Sequence, residues 1–282
     1  MKTTKFAVLS ALFATSLSCA RADWDLQAET GALYDSNLSN SVATSDEEED
    51  WAWKSDVFVG NGFQLSRDFR LRLEADLRAE VWDQFGGLSR IGAGTSAALR
   101  YRFGLGRQAP WLLLEDRFGY DHFQETPRSS WNDSVDLRGG IALSQRIALE
   151  AGYTFDTSSA RDDFFNLQGQ SGHARVIVDL TSALQIGVGY TYRYGDFISY
   201  AVAPRFDIRQ IASEFRQVST FGTDPPYTAY RLRGRTHLFS AFAGYGLSKN
   251  LSLQVSYEYA ITSQGALNYD SHLVEAKIAF AF

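Results

Sequence analysis

The chain has 282 residues, a formal net charge of −6 at pH 7 and a mean hydropathy of −0.22. This length fits one large β domain or two small ones, and the acidic balance argues against nucleic acid as a partner. The only cysteine is Cys19, so no intrachain disulfide can form and stability must come from the fold itself.

The first segment is expected to be a secretory signal peptide. Lys2 and Lys5 precede an apolar run over 6–17, and a small-x-small cleavage site ends at Ala22. The apolar run is too short to span a membrane as a helix. Residues 1–22 are therefore predicted to be removed after Sec-type export, with cleavage near Ala22. The alternative, a lipoprotein acylated at Cys19, fits less well because the residues before Cys19 match that signal poorly.

From Trp24 onward, the chain divides into segments in which apolar and polar residues alternate. The first segment, about 24–37, places Trp24 and Tyr34 on one face and Asp25 and Glu29 on the other. The third, 69–81, is the clearest, because every odd position is apolar and every even position is charged. Such a period of two is typical of a strand whose outer face meets lipid and whose inner face meets a polar lumen.

About twelve such segments fit between residues 23 and 282, and ten or fourteen would also be compatible. The connections 66–68, 104–110, 144–146, 181–183 and 246–250 are tight, while the others are longer and polar or Gly-rich. Short turns at one end and long loops at the other predict an all-β fold, a transmembrane antiparallel up-and-down β-barrel. One segment breaks the alternation because Asp116 would face outward, which predicts a bulge there.

Aromatic residues are expected to form two belts at the membrane interfaces, where amphipathic rings are favoured. The periplasmic level would hold Trp24, Phe63, Phe69, Tyr101, Phe103, Trp111, Phe242, Phe280 and Phe282. The outer level would hold Tyr34, Trp51, Trp53, Tyr120, Tyr153, Phe155, Tyr190, Tyr192, Tyr194, Tyr230, Tyr257 and Tyr259.

The last stretch, 272–282, places Val274, Ala276, Ile278, Phe280 and Phe282 on one face. Taken alone, it could also be an edge strand of a soluble sandwich. An apolar alternation that ends on an aromatic residue resembles the closing strand of porin-like Gram-negative outer-membrane β-barrels. The resemblance implies that Phe282, Phe280 and Ile278 form a signal read by the barrel-assembly machinery. It also implies an outer-membrane location, with membrane lipid and lipopolysaccharide as partners.

Charged residues of both signs occupy the predicted inner face in equal numbers. The basic ones are Lys54, Arg70, Arg72, Arg78, Arg100, Arg102, Arg117, Arg138, Arg175, Arg193, Arg231, Arg233, Arg235 and Lys277. The acidic ones are Asp25, Glu29, Asp35, Asp56, Glu74, Asp76, Glu80, Glu115, Asp136, Glu150, Asp156, Asp179, Glu258 and Glu275. Arginine dominates the basic set, and its planar fork pairs well with carboxylates.

Two interpretations of this lumen remain open. In the first, the barrel is a narrow diffusion channel for small polar or anionic solutes. Its selectivity would come from Arg231, Arg233, Arg235, Arg70, Arg72, Arg100, Arg102, Glu74, Asp76 and Glu80. In the second, the two signs pair into a lattice that braces or seals the lumen. The protein would then be a non-conducting structural or surface-interaction barrel that works through its outer loops.

The long extracellular loop, about 195–229, contains an apolar stripe. Asp207 begins a capping-box pattern, and Ile208, Ile211 and Phe215 follow at helical spacing, so 208–217 could form a short amphipathic helix. These three residues are candidates for a plug that folds into the lumen or lies across the mouth. A disordered loop is the alternative, because a Pro-Pro sequence follows.

Candidates for catalysis or metal binding are few. Ser171, His173 and Asp156 would all face inward near the outer rim, and a hairpin pairing around 157/170 would put Ser171 beside Asp156. Ser171 and His173, two residues apart on one strand, are too far from each other for a dependable contact. The acidic run 46–50 lacks the spaced ligands and the turn glycine of a calcium site, and it fits a solvated loop better. The sequence therefore predicts neither an enzyme nor a cofactor, although an outer-membrane hydrolase remains an alternative.

Overall fold

The structure is a computed structural model that describes residues 24–106, 108–202, 204–223, 226–265 and 267–282. The predicted signal peptide, residues 1–22, lies outside the described residues. The thirteen strands are β1 (Trp24–Asp35), β2 (Asp50–Gln64), β3 (Phe69–Trp82), β4 (Arg90–Arg102), β5 (Trp111–Phe123), β6 (Ser130–Ala142), β7 (Ile147–Ala160), β8 (Leu167–Asp179), β9 (Leu184–Ala201), β10 (Glu214–Thr223), β11 (Pro226–Gly246), β12 (Leu251–Gln264) and β13 (Leu267–Ala281). One short helix, α1 (Phe206–Arg209), precedes β10.

Twelve of the strands close into an antiparallel barrel, as the sequence predicts. Each strand pairs with its neighbours in the chain, except that β9 pairs directly with β11 and leaves β10 outside the wall. The barrel closes where β13 pairs with β1, from Ala281 opposite Gln27 to Leu273 opposite Asp35. Closure leaves the wall without free edges, so its backbone groups are satisfied within the sheet.

The two ends of the barrel differ in their connections. Tight turns join the strands at one end, which we call the turn end, and the segments 36–49, 83–89, 124–129, 161–166 and 204–213 lie at the other, which we call the loop end. The connection between β12 and β13 is also at the loop end, yet it is short because both strands continue further than the sequence pattern indicated. None of the helices in the described ranges is long and apolar enough to cross a membrane.

The outer face of the wall is apolar and exposed. Leu77, Val188 and Ile91 are each about 60% exposed, at 62%, 60% and 61%. Ile278 and Phe280 of β13 also face outward, at 38% and 41%. A wall with this surface requires lipid around it, because water does not tolerate so large an apolar area.

The predicted aromatic belts need correction at three residues. Trp111 and Phe242 face the lumen, where their rings lie over Gly140 and Gly187 respectively, and Tyr230 is fully buried at the loop end. The turn-end belt does include Tyr101, whose ring lies 4.7 Å from those of both Phe69 and Phe103.

The predicted bulge at Asp116 is wrong. β5 pairs with β4 and β6 in uninterrupted register, with Asp116 opposite both Ala97 and Val135. The strand therefore keeps its alternation and carries one exposed carboxylate on its outer face. Backbone pairing on both edges fixes the direction of a side chain, and a single unfavourable residue does not change it.

Candidate functional site

The β9–β11 pair leaves the barrel wall at the loop end. Pairing of β8 with β9 stops at Gly169 and Gly195, and pairing of β11 with β12 stops at Arg235 and Ser263. The β9–β11 pair continues beyond these points, and β10 adds to the freed edge of β11. We call the three-stranded extension formed by 196–201, 214–223 and 226–234 the plug sheet.

One face of the plug sheet packs on the inner side of the opposite wall. Its cluster of buried residues is Ile198, Tyr200, Phe221, Tyr227 and Ala229 from the plug sheet, Ala52 and Trp82 from β2 and β3, and Leu88, Phe164 and Phe165 from the loops. Phe221 is central to it, with its ring 4.8 Å from Phe85 and 4.9 Å from Tyr200.

The other face of the plug sheet packs toward β13. Tyr230, Leu232 and Ala201 form a second buried cluster with Ile208 of α1 and Tyr269 of β13. Tyr230 and Ala229, neighbours in β11 that point to opposite faces, are both 0% exposed. Because both faces are buried, the sheet crosses the barrel mouth instead of continuing the wall.

The predicted helix over 208–217 is largely wrong. The helix covers only Phe206–Arg209, and β10 begins at Glu214. Asp207 pairs with Arg205 at 2.7 Å, and this hydrogen bond holds the pKa of the Asp207 carboxyl below its usual range. Among the plug candidates only Ile208 is buried, at 1% exposure, whereas Ile211 and Phe215 are 38% and 41% exposed. Strand pairing with β11 outweighs the weak helical periodicity.

A polar contact joins the plug sheet to the loop 124–129. The Arg128 guanidinium donates to the Glu125 carboxylate at 2.7 Å, to Thr220 Oγ1 at 3.3 Å and to the Tyr200 hydroxyl. Thr220 also donates to Glu125 at 2.9 Å. Burial by itself lowers the pKa of Arg128, but the neighbouring Tyr200 and Glu125 oxygens outweigh it and raise that pKa. We call Glu125, Arg128, Tyr200 and Thr220 the latch.

The acidic run 46–50 is not the solvated loop that the sequence suggested. Asp50 is 1% exposed and accepts backbone N–H groups from Gln84 and Phe85, both at 3.0 Å. Asp46 accepts from the backbone of Val202 at 3.3 Å, and Glu48 accepts the Tyr227 hydroxyl. The run therefore anchors loops at the mouth. Within the part of the chain that the structure describes, no group of three His, Cys, Asp or Glu side chains could hold a metal ion.

The predicted lattice of ion pairs lines the lumen. Asp76, with a side chain only 3% exposed, contacts Arg78 and Arg117, both at 2.9 Å. Glu80 contacts Arg90 at 3.0 Å. Further lumen pairs among the described residues include Arg72–Glu74, Arg138–Glu115, Arg175–Glu150, Arg193–Asp156, Lys54–Glu275 and Lys277–Glu29. Arg90 and Asp121 also join this lattice. The sequence pattern does not identify them because they lie near strand ends, where few alternating residues define the inward face.

These side chains lie flat along the wall. A Cβ atom at Gly169 would be 2.2 Å from the Arg193 guanidinium, and one at Gly119 would be 3.0 Å from that of Arg78. Glycine at these positions leaves room for a guanidinium directly on the neighbouring backbone. The paired charges are thereby held against the wall and do not extend across the barrel axis.

Arg231, Arg233 and Arg235 do not line the lumen, contrary to the prediction. They share the outward parity of Phe239, which lies opposite the outward Tyr190 of β9. The Arg233 guanidinium lies 5.3 Å from the outward Tyr194 ring, and Arg231 approaches Asp196 at 3.6 Å. Leu232, between Arg231 and Arg233, points to the opposite face and packs in the buried cluster with Tyr230 and Tyr269.

A second polar region lies inside the turn end. A cavity of about 360 Å³ is lined there by Arg70, Arg100, Arg102 and Trp111, together with Arg67, Asp68 and Glu150. Arg70 and Arg100 lie directly opposite each other on neighbouring strands. Arg70, Arg100 and Arg102 form no ion pair with any carboxylate of the described residues, unlike the lattice above them. We call this region the vestibule.

The candidate catalytic contact does not form. Asp156 lies opposite Gly169, two residues from the expected partner Ser171, and its carboxylate is taken by Arg193 at 2.5 and 2.8 Å. His173 lies against Gly152 on the same wall. Ser171, His173 and Asp156 are therefore lumen lining, with no nucleophile and base in hydrogen-bond reach.

The architecture defines an outer-membrane type of β-barrel, with an apolar outer wall and a polar lumen. No model of a known protein family matches the chain, and no curated protein matches it. Among solved structures, an outer membrane channel from Pseudomonas putida F1 superposes with a TM-score of 0.58, at 10% identity, over 94% of this chain and 96% of that one.

Two porins have a related but less similar shape. The NanC porin superposes with a TM-score of 0.49 over 92% of this chain and 99% of its own, at 10% identity. The KdgM porin, solved "in complex with disordered oligogalacturonate", gives 0.46 over 90% and 99%, also at 10% identity. At these identities the likeness concerns the fold alone, and at that level the predicted resemblance to outer-membrane β-barrels is confirmed.

Proposed function

We propose that this protein is an outer-membrane channel for small polar solutes, closed at its outer mouth by the plug sheet. The observation that carries the proposal is that one part of the barrel provides a polar lumen and a different part closes the mouth. The lumen wall is polar, with its charges paired and held flat against the strands. The mouth is closed by a different element, the plug sheet, which continues β9 and β11 and packs through apolar side chains on the loops and the inner wall.

The same proposal gives the chain its orientation and location. Short turns in such barrels face the periplasm and long loops face the outside, so the vestibule would open to the periplasm and the plug sheet to the exterior. Export with cleavage near Ala22, insertion through recognition of Ile278, Phe280 and Phe282 by the assembly machinery, and contact with lipopolysaccharide at the loop end are parts of this proposal.

Opening requires the plug sheet to leave the mouth. Its attachments to the loops include the latch, an ion pair between Arg216 and Asp162 at 2.7 Å, the Tyr227–Glu48 hydrogen bond and the apolar contacts of Phe221. The β9 and β11 segments below Gly195 and Arg235 stay paired with the wall, so the sheet could swing out without opening the barrel.

A second candidate function is a non-conducting surface barrel. It is favoured by the tight interlocking of the loops, in which the Tyr200 N–H donates to the Ser39 carbonyl at 3.0 Å and Asn40 donates to the Ile198 carbonyl at 3.3 Å. A permanently closed mouth with a rigid outer surface would suit binding through the loops.

Conductance in planar bilayers separates the two candidates. The folded parent protein is compared with a variant that lacks 205–220, which removes α1 and most of β10. The channel proposal expects rare openings of the parent and frequent, discrete steps from the variant. A matched control, Ile211→Ser with Gln217→Ser, changes exposed residues of the same segment and is expected to behave like the parent.

Silence from both proteins, once each is shown to be folded by heat-modifiable gel migration, would overturn the channel and favour the surface barrel. Equal conductance of both would keep the channel but remove the plug sheet as its gate.

A further inference from the structure

We propose that the vestibule is a binding site for small organic or inorganic oxyanions, held by Arg70, Arg100 and Arg102. The inference rests on the proposed function for the route by which such an anion would travel, and it names the solute class. Binding itself requires only that the turn end is open to water.

The first argument is the unusual pairing of like charges. Arg70 of β3 lies directly opposite Arg100 of β4, on the same inward face. Like charges in this position destabilise a sheet, because their side chains are neighbours. Elsewhere on the wall a counter-charge compensates such a contact: Glu115 lies opposite Asp136, and Arg138 pairs with both of them, at 2.7 and 3.3 Å. An anion bound between Arg70 and Arg100 would supply the missing negative charge.

The second argument is that Arg100 is held in place without the use of its hydrogen-bond donors. Its guanidinium lies 4.6 Å from the centre of the Trp111 ring. The indole in turn lies on Gly140, where a Cβ atom would be 2.5 Å from the ring. A stacked guanidinium keeps its N–H groups free in its own plane. Trp111 is therefore a positioning residue that presents Arg100 to a ligand.

The third argument is the charge balance of the cavity. Four of its lining side chains are the arginines 67, 70, 100 and 102, and only Asp68 and Glu150 oppose them. Glu150 is already bound by Arg175 at 2.5 Å, so it neutralises little of this charge. The cavity of about 360 Å³ is wide enough for a small carboxylate or phosphate compound.

The side-chain directions favour a soluble anion over a lipid headgroup. Arg70, Arg100 and Arg102 face the lumen. The adjacent residues Phe69 and Tyr101 face outward, with their rings 4.7 Å apart. A headgroup at the outer wall would meet the aromatic residues, and it would have to pass through the wall to reach the guanidinium groups.

Isothermal titration calorimetry with malonate tests the proposal on the full barrel in a zwitterionic detergent at low salt. The parent is expected to bind with a dissociation constant on the order of 1 mM, weakening as salt is added. Arg70→Gln with Arg100→Gln is expected to weaken binding at least tenfold. The matched control, Arg231→Gln with Arg235→Gln, removes the same charge from the outer face and is expected to change binding less than twofold.

Trp111→Leu separates positioning from charge, because it keeps every arginine. About threefold weaker binding is expected, with the salt dependence unchanged. Absence of saturable binding to the folded parent would overturn the proposal, and so would equal losses in the vestibule and control variants. Binding is measured without any current through the barrel. Failure of the oxyanion site is therefore distinguished from failure of the channel proposal.

Discussion

The two ends of this barrel differ in how they are packed and in how their charges are paired. At the loop end, the plug sheet buries apolar side chains on both faces, with Tyr230 and Ala229 fully removed from solvent. At the turn end, Arg70 and Arg100 are neighbours on adjacent strands that both line an open cavity, and neither pairs with a carboxylate of the described residues. The loop end is stabilised by apolar burial together with the latch and the Arg216–Asp162 ion pair, whereas the turn end retains arginine charge that no carboxylate of the described residues pairs with.

This contrast indicates at which residues a substitution should lower the stability of the structure and at which it should raise it. Removing a side chain from the plug sheet leaves a cavity in a packed cluster, which is always unfavourable. Removing a charge from the vestibule relieves repulsion between neighbours. The paired lattice between the two ends provides the reference, because there each charge has a partner whose loss leaves a charge uncompensated.

The largest effect is expected from Phe221→Ala. Phe221 is 8% exposed and contacts Phe85, Tyr200 and Tyr227 through its ring. Truncating a buried Phe costs about 3–5 kcal/mol, which would act on the closed mouth and leave the barrel wall intact. We expect the fraction of time spent open in planar bilayers to rise by at least a hundredfold, with an unchanged step size. An unchanged open fraction would mean that the mouth stays closed by other contacts.

A smaller but clear loss is expected from Asp76→Asn. Its carboxylate forms ion pairs with Arg78 and Arg117, both at 2.9 Å, and neutralising it leaves Arg117 without a counter-charge among the described residues and Arg78 with Asp121 at 3.4 Å. Breaking a buried pair of this kind costs about 3 kcal/mol, less where lumen water reaches the arginines. The midpoint of urea unfolding in lipid vesicles should fall. A midpoint equal to that of the parent would show that the lattice is solvated and contributes little.

Arg100→Gln is expected to act in the opposite direction. Because Arg100 lies opposite Arg70, its removal should leave stability unchanged or raise it by about 0.2–1 kcal/mol at low salt. The same unfolding assay measures this, and added salt should erase the gain by screening the repulsion. A clear loss of stability in the absence of any anion would show that the stacking on Trp111 matters more than the repulsion.

The smallest effect is expected from replacing Arg231, Arg233 and Arg235 together by Ala. They lie on the face of the β9–β11 pair that continues the outer face of the wall, and Arg231 on the plug sheet donates to the Asp163 carbonyl at 3.2 Å, so the ion selectivity of any current should change less than twofold. Reversal potentials in a salt gradient, recorded with the 205–220 deletion as background, provide the measurement. A lost anion preference would place these residues in the permeation path after all.

The sequence could predict much of the wall and little of the mouth. For β3, the strict alternation over 69–81 gives the correct inward and outward sets, because the strand is paired on both edges and meets lipid along its whole length. For β11, the same rule fails. In the plug-sheet part of β11, Leu232 packs in a buried cluster. An apolar residue there contacts protein, whereas an alternating apolar residue in the wall contacts lipid.

The vestibule could be predicted in part. Arg70, Arg100 and Arg102 are correctly placed in the lumen by alternation, but their lack of a carboxylate partner among the described residues follows only from the register between β3 and β4. Trp111 was assigned to the lipid interface because an aromatic residue near a turn is typical of that position. Only the contact with Gly140 and Arg100 shows that it faces inward.

The sequence by itself determined the barrel, the alternation of short and long connections, and the polarity of the two wall faces, since these depend on the period of two within each strand. Only the tertiary structure decided that the β9–β11 pair bends across the mouth, that β10 joins it, and which charges remain without a partner. Those features depend on contacts between residues far apart in the chain, such as Tyr200 with Ser39 and Thr220 with Glu125, and a local pattern carries no record of them.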